Sequence, residues 1–270
     1  MKKLSILLLL CIIIVSCNHT EVKQEPVKIA DLNPQFENYK TQFIENLWQI
    51  YPGWASSQGY HKYDSVLTIP DSMERYKELR FAKANLDSLK QYDALTLSDN
   101  NKTDYYIIEN QLNSSIWSIN NLKSYQWNPS EYNVSGAFAD LLTGTYDKPD
   151  ARLRNFYLKM RNINAYYQAA KYNIKNPTVE HTQLAIDQNL GGIAVFQDDL
   201  KDALAKSKLS KQEKDKMELL AKSAVAAIKD YAAWLKNLKN ETPRSFRLGK
   251  ELYAKKFEYD IQSGYSIDEI

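Results

Sequence analysis

The amino-acid sequence predicts an all-α fold, an array of about eight mostly long antiparallel helices. Only 8 Gly and 8 Pro occur among the 270 residues, which is few for a sheet-rich protein with many tight turns. Apolar residues recur at spacings of three and four along most of the chain, as in helices that bury one face. With 44% hydrophobic residues, the chain can bury a sizeable core in one large domain or two small ones.

The N-terminal segment has the form of an export signal. Two lysines precede an apolar run, residues 4–15, that is too short to form a permanent membrane-spanning helix. The run ends in Ser16-Cys17 and resembles the bacterial lipobox, in which the cysteine receives fatty-acid chains such as palmitate. We therefore expect residues 1–16 to be a lipoprotein signal peptide, Cys17 to be the lipid attachment site, and residues 17–33 to be a polar tether. The alternative is an ordinary secretory signal with a chance cysteine.

Acylation would place the protein in the bacterial cell envelope, anchored to a membrane and facing the periplasm or the cell surface. Removal of the two signal lysines takes the formal net charge from +2 to 0, which leaves no basic field to attract nucleic acid. Cys11 would leave with the signal, so Cys17 would be the single remaining cysteine and no disulfide framework could form. The membrane is thus an expected partner, and nucleic acid is not.

The helices are predicted from capping residues, prolines and apolar spacing. The first begins at Asn33-Pro34, a capping residue followed by proline at the first helical position, and ends at Pro52-Gly53. Seven more helices are predicted to follow, over approximately residues 71–92, 98–119, 132–142, 148–176, 179–205, 210–238 and 243–261. Residues 34–270 are therefore expected to form a helical domain.

Two local patterns make more specific predictions. Gly191-Gly192 lies in the middle of the helix predicted for residues 179–205 and indicates a kink or a close approach to another helix. Ser210 and Glu213 have the Ser-x-x-Glu form of a capping box, which predicts where the next helix begins.

The same Ser-x-x-Glu form recurs at the end of the chain, in Ser266 and Glu269. A capping box satisfies the free amide groups at the start of a helix, so this pattern predicts further helical turns after it. We therefore expect the parent protein to continue beyond Ile270. The alternative is that residues 266–270 are a frayed polar tail.

No catalytic or metal-binding motif is evident. A catalytic zinc site of the His-Glu-x-x-His type needs two histidines one helical turn apart, whereas the three histidines here are His19, His61 and His181. We therefore expect no catalytic residues, no metal ligands and no cofactor in this chain. The 19 tyrosines and 5 tryptophans could form a sugar-binding surface, but their helical spacing favours packing in the core.

Three stretches of sequence, in their order and spacing, carry a resemblance to a known family. They are YPGWASSQGYHKYDS (51–65), YQWNPSEYN (125–133) and SFRLGKELYAKKF (245–257). Together they resemble the bacterial family called domain of unknown function 885, with Pro52, Ala55 and Gly59 matching its Pro-x-x-Ala-x-x-x-Gly segment and residues 246–249 its Phe-Arg-Leu-Gly segment. The resemblance covers residues 35–270.

That family resembles zinc metallopeptidases of mostly helical fold, with the metal-binding histidines and glutamates in a C-terminal half of the protein. No position here matches that metal motif, so the resemblance implies that residues 34–270 are the N-terminal half of a larger peptidase-like fold, with zinc bound only in a full-length parent. One hypothesis is therefore a membrane-anchored scaffold half of a zinc-dependent peptidase-like protein with a peptide substrate. The alternative is a non-catalytic helical lipoprotein that binds a peptide, a glycan or a partner protein. Whether the chain is an enzyme stays open.

The segment 51–65 has two interpretations. It is either a structural turn, in which Pro52 and Gly53 end the first helix, or part of a substrate cleft lined by Tyr60 and His61. For the whole chain, a large bare apolar face would favour the scaffold hypothesis, and an exposed aromatic groove would favour the binding lipoprotein.

Overall fold

Helices make up nearly all of the regular structure in residues 30–270, the part of the chain that the computed structural model describes. No β-strand occurs within this range, so the predicted all-α fold is confirmed. Cys17, the predicted signal peptide and most of the predicted tether lie outside the described residues. The helices of the described range are α1 (Asn33–Ile50), α2 (Pro52–Ser57), α3 (Ser72–Leu89), α4 (Asp99–Trp117), α5 (Ser124–Trp127), α6 (Ser135–Thr143), α7 (Pro149–Met160), α8 (Ile163–Asn173), α9 (Val179–Gly191), α10 (Leu200–Lys206), α11 (Lys211–Lys236) and α12 (Lys250–Ile261).

The long helix predicted for residues 148–176 is divided into α7 and α8, so the prediction of one continuous helix was wrong. The break falls at Arg161 and Asn162, where the Asn162 side chain donates a hydrogen bond to the carbonyl oxygen of Leu67 at 3.2 Å. This contact with a distant loop interrupts the helix without moving its apolar stripe, whose members all stay buried: Leu153, Phe156, Met160, Ile163, Tyr167 and Ala170.

The pair Gly191-Gly192 includes a position where one helix approaches another closely, as predicted. The helix predicted for residues 179–205 is divided into α9 and α10, joined in part by a wider π-helical turn at Val195–Asp199. A Cβ added to Gly192 would lie 2.4 Å from the Cβ and the Oγ of Ser135 on α6, whereas one added to Gly191 would meet nothing within 4 Å. The close approach therefore belongs to Gly192 alone.

The predicted helix caps had different outcomes. Ser210 and Glu213 form the predicted capping box at the start of α11, since each side chain accepts the other's backbone amide. Asn33 does not cap α1: the helix begins at Asn33 itself, and its Oδ1 accepts hydrogen bonds from the Ser98 amide and the Asn101 side chain, both at 2.9 Å. The Asn33 side chain thus joins the starts of α1 and α4.

Two hydrophobic clusters form the interior of the compact unit Leu32–Ile270. The first cluster is built mainly from α1, α3 and α4, and its buried residues are Phe36, Phe43, Leu47, Ala82, Leu89, Leu97, Ile108 and Leu112. In the second cluster, built mainly from α6 to α11, the rings of Phe138, Phe156 and Phe196 contact each other with centroids 4.8–5.7 Å apart.

Polar contacts join the two clusters along a boundary that we call the seam. Arg75 on α3 donates to the Asn173 side chain of α8 at 3.1 Å, and its guanidinium lies 4.2 Å from the centre of the Tyr125 ring. Asn173 in turn donates to the carbonyl oxygen of Pro70 at 2.5 Å. The seam is therefore held by specific hydrogen bonds in addition to apolar packing.

The last helix, α12, is attached to the rest of the fold by few contacts. The Asn110 side chain of α4 donates to the Tyr259 carbonyl oxygen at 3.0 Å, and the Tyr259 ring lies 5.7 Å from that of Trp117. No residue of α12 is buried, and its Tyr253 and Ile261 are 54% and 58% exposed. An apolar face of this helix is thus left bare. The helix begins at Lys250, later than predicted, after Gly249 at a φ of +80°.

Candidate functional site

A polar cavity of about 370 Å³ opens between the segment 51–65 and the helices α6 and α7. One wall comes from α2 and the loop after it, and the other comes from α6, the loop after it and α7. We call it the Asp64 cavity, and its polar lining residues include Ser56, His61, Asp64, Asp140, Tyr146 and Lys159.

Asp64 is a buried carboxylate whose oxygens are held by three neighbours. The residue is 1% exposed, and it accepts hydrogen bonds from the Ser56 hydroxyl at 2.6 Å and from the Tyr146 hydroxyl. The Nδ1 atom of His61 lies 3.2 Å from the same carboxylate. A charged group can remain in such a place only when donors replace its lost water, and these three side chains do so.

The segment 51–65 folds back on itself to bring two of these donors to Asp64. Pro52 occupies the first turn of α2 as well as ending α1, which the turn interpretation did not anticipate. Gly59 follows with a φ of +80°, a value that favours glycine, and a short 3₁₀ turn then runs over His61–Tyr63. Ser56 and His61 therefore reach Asp64 from the same short segment.

Tyr146 lies on the opposite wall of the cavity, where its ring covers the His61 ring and its hydroxyl donates a hydrogen bond to Asp64. The two rings are parallel, with an interplanar angle of 1° and centroids 3.3 Å apart. Burial raises the pKa of the Tyr146 hydroxyl, and its hydrogen bond to Asp64 raises it further, because both disfavour the phenolate. Tyr146 therefore acts at neutral pH as an uncharged hydrogen-bond donor.

The loop that carries Tyr146 is anchored by a buried arginine. Arg152 on α7 donates from Nη1 to the Leu141 carbonyl oxygen at 2.7 Å and from Nε to the Asp147 carbonyl oxygen at 3.2 Å. A side chain at Gly144 would lie 2.6 Å from the Tyr146 ring, so the loop also needs glycine at that position. These constraints hold Tyr146 in place over the cavity.

Lys159 on α7 is a buried lysine that lines the cavity. It is 3% exposed, and among the described residues its Nζ has no hydrogen bond and no ion pair; it lies 5.9 Å from the centre of the Phe138 ring. Burial lowers the pKa of Lys159, while the charges of Asp64 and Asp140 oppose that change. Its amine thus has free donor capacity on the wall of the cavity.

The structure places the two residues predicted to line a cleft in different surroundings. His61 lines the Asp64 cavity, whereas Tyr60 does not, and its hydroxyl donates to Glu45 on α1 at 2.5 Å. Lys62 and Tyr63 also bond to Glu45, and these contacts, that of Lys62 first, lower the pKa of the Glu45 carboxyl to about 2. Tyr60 therefore fastens the segment to α1. The substrate cleft itself stays a prediction.

The sequence did not single out Asp64, Tyr146 or Lys159 as site residues. One signal was present at Lys159, because a lysine next to Met160 in the buried stripe of α7 places a charge beside the core. Tyr146 carried no such signal, since it reaches Asp64 from 82 positions away in the chain.

No group of side chains suited to a zinc ion is present in the described part of the chain. Within residues 30–270 no group of three or more histidine, cysteine, aspartate or glutamate side chains is arranged to hold a metal. In the same range no helix combines the length and the apolar character that a membrane span requires.

Residues 52–270 match the family described as "Bacterial protein of unknown function (DUF885)". The chain belongs to this family. The DUF885 match includes every residue that lines the Asp64 cavity, and it confirms the family resemblance seen in the sequence. No curated protein matches the chain. The link between DUF885 and zinc metallopeptidases stays a prediction.

A solved structure is similar to this DUF885 chain over most of its length. It is described as that of a candidate lipoprotein of unknown function from Shewanella oneidensis, with 44% sequence identity and a TM-score of 0.82. The similarity covers 86% of this chain and 43% of the other, so this DUF885 chain spans less than half the length of that relative.

Proposed function

We propose that the chain is a lipid-anchored protein of the bacterial envelope whose helices form the scaffold and one wall of the cleft of a peptidase-like protein. The observation that carries this proposal is the bare apolar face on and beside α12, which includes Phe246, Tyr253 and Ile261. An exposed apolar face of this kind marks a surface that another polypeptide covers. The length of the Shewanella oneidensis relative supports the proposal, since more than half of that chain has no counterpart here.

The energetics of α12 support the same proposal. A helix of 12 residues is marginally stable in water unless one face packs against a partner. Here the few contacts with α4 leave Tyr253 and Ile261, two apolar residues of this helix, exposed. We propose that the partner is the polypeptide segment that carries the metal site, whether in the same chain or in another.

Photo-crosslinking at Tyr253 tests the scaffold. With a benzophenone amino acid at this position in the native bacterium, we expect a cross-linked peptide from a segment with a His-Glu pair and a later histidine. Tyr172 on α8, which is 75% exposed, is the matched control and should give no such product. A cross-link to a segment without metal-binding residues, or equal yields at the two positions, would contradict the proposal.

The lipid anchor has its own test at Cys17. We expect Cys17→Ala to abolish incorporation of a clickable fatty acid and to move the protein from the membrane to the soluble fraction, because the acylated atom is lost. Cys11→Ala is the matched control, since this cysteine lies within the predicted signal, and it should keep the label. A Cys17→Ala protein that still carries the fatty acid would refute the anchor.

The second candidate function is a non-catalytic lipoprotein that binds a ligand. It is favoured by the Asp64 cavity, whose lining combines the buried polar side chains of Asp64 and Lys159. In that case purified residues 18–270 should bind their ligand alone, and the cross-linking at Tyr253 should not reveal a segment with metal-binding residues.

A further inference from the structure

We propose that the Asp64 cavity binds a carboxylate group and that the ammonium group of Lys159 pairs with it. The inference goes beyond the scaffold function, and it does not depend on peptidase activity. It rests on a lysine that is 3% exposed and lines the cavity, and whose amine has no hydrogen-bond or ion-pair partner among residues 30–270. The amine is reached only through the cavity, so a ligand anion that enters the cavity can pair with it.

Asp64 cannot supply that partner in the observed arrangement. Its carboxylate is engaged by Ser56, His61 and Tyr146 and forms no ion pair with Lys159. Asp140 also lines the cavity without pairing with the amine. A ligand carboxylate within hydrogen-bond distance of Nζ would form a charge-assisted hydrogen bond, the strong type for two ionised groups.

The charges of the cavity favour a carboxylate over a phosphate. Lys159 is the single cationic lysine or arginine in its lining, and Asp64 and Asp140 contribute negative charges. The nearby Arg152 does not line the cavity, and it donates to backbone carbonyl oxygens instead. With two carboxylates and one ammonium group in the lining, a singly charged ligand meets less repulsion than a doubly charged phosphate does.

The size of the cavity limits the ligand. A volume of about 370 Å³ falls at the low end of small-molecule sites. It accommodates a small organic acid or the last residues of a peptide with a free carboxyl terminus. These two sources share the carboxylate chemistry, and they are separated by experiment.

NMR titration of purified residues 18–270 provides the test. The probes are acetyl-trialanine as the free acid, the same peptide as its C-terminal amide, N-acetylalanine and inorganic phosphate. We expect the free acid to bind about tenfold more tightly than the amide. Comparable binding of N-acetylalanine would indicate a small acid as the ligand, and much weaker binding would indicate a peptide terminus. Equal binding of acid and amide, no binding of either acid, or equal binding of phosphate would overturn the proposal.

The assignment to Lys159 is tested by Lys159→Met, which keeps an unbranched apolar side chain and removes the charge. We expect this variant to lose the preference for the acid, and Lys90→Met, which removes an exposed lysine paired with Asp87, to keep it. A preference that persists in Lys159→Met contradicts the assignment.

A second measurement needs no variant. Binding of the acid by the native protein should weaken at alkaline pH as Lys159 loses its proton, and an unchanged affinity would exclude Lys159 as the partner of the ligand. Neither result depends on the cross-linking at Tyr253, so the carboxylate site and the scaffold function can each be refuted without the other.

Discussion

Gly192→Ala is expected to lower the free energy of unfolding by about 2–3 kcal/mol, because overpacking of a tight helix contact is costly. The new Cβ would lie 2.4 Å from the Cβ of Ser135, an atom close to the backbone that cannot swing away, and 3.2 Å from the Gln188 carbonyl oxygen. Relief would require α6 and α9 to move apart. Urea denaturation of residues 18–270, followed by circular dichroism, measures the change.

The adjacent glycine provides the control. Gly191→Ala should change the free energy of unfolding by less than about 0.5 kcal/mol, since no atom lies within 4 Å of the position that its new Cβ would occupy. Adding Ser135→Gly to the Gly192→Ala variant removes the atoms that clash and should restore part of the lost stability. Equal losses for the two alanine variants would show that the contact with Ser135 is not the cause, and helix propensity could not explain them because alanine favours a helix more than glycine does.

Lys159→Met is expected to raise the free energy of unfolding by about 1–2 kcal/mol, an increase typical of removing an unfavourable group from a core. Lys159 is 3% exposed and has no ion-pair partner in the described range, and methionine keeps the unbranched apolar stem beside Phe138. Thermal unfolding of the ligand-free protein measures the gain. Lys90→Met serves again as the control, because loss of its exposed pair with Asp87 should change stability little.

The gain should depend on pH in a defined direction. Burial lowers the pKa of Lys159 in the folded protein below its ordinary value of 10.5. Between these two pKa values the unfolded chain binds more protons at this residue, so this residue's contribution to stability increases with pH. The difference between Lys159→Met and the native protein should therefore be largest at neutral pH and shrink towards pH 10.5. A difference that grows with pH would refute the assignment.

The parts of the fold that the sequence predicted correctly depend on local contacts. The capping box at Ser210 links residues three positions apart, and the buried stripe of α7 follows from helical spacing alone. The errors have partners far away in the chain. Asn33 bonds to residues 65 and 68 positions later, and Asn162 bonds to a carbonyl group 95 positions earlier, so no local pattern could reveal either contact.

The residues of the candidate site also differ in whether a local sequence pattern could reveal them. His61 was singled out because its segment is unusual in composition, and Asp64 lies three positions after it. The cavity exists only because Tyr146 and Lys159 come to this segment from the side of the second hydrophobic cluster. A pairing of this kind depends on how the two clusters dock, which sequence periodicity does not specify.

The presence of two separate hydrophobic clusters has a mechanical consequence for the cavity. Each cluster keeps its own apolar interior, so a small rotation about the seam would disturb polar contacts while leaving both interiors dry. Hydrogen bonds such as that between Asp64 and Tyr146 can exchange with water at modest net free energy. The seam is therefore the part of this interior where water can replace contacts without entering either hydrophobic cluster.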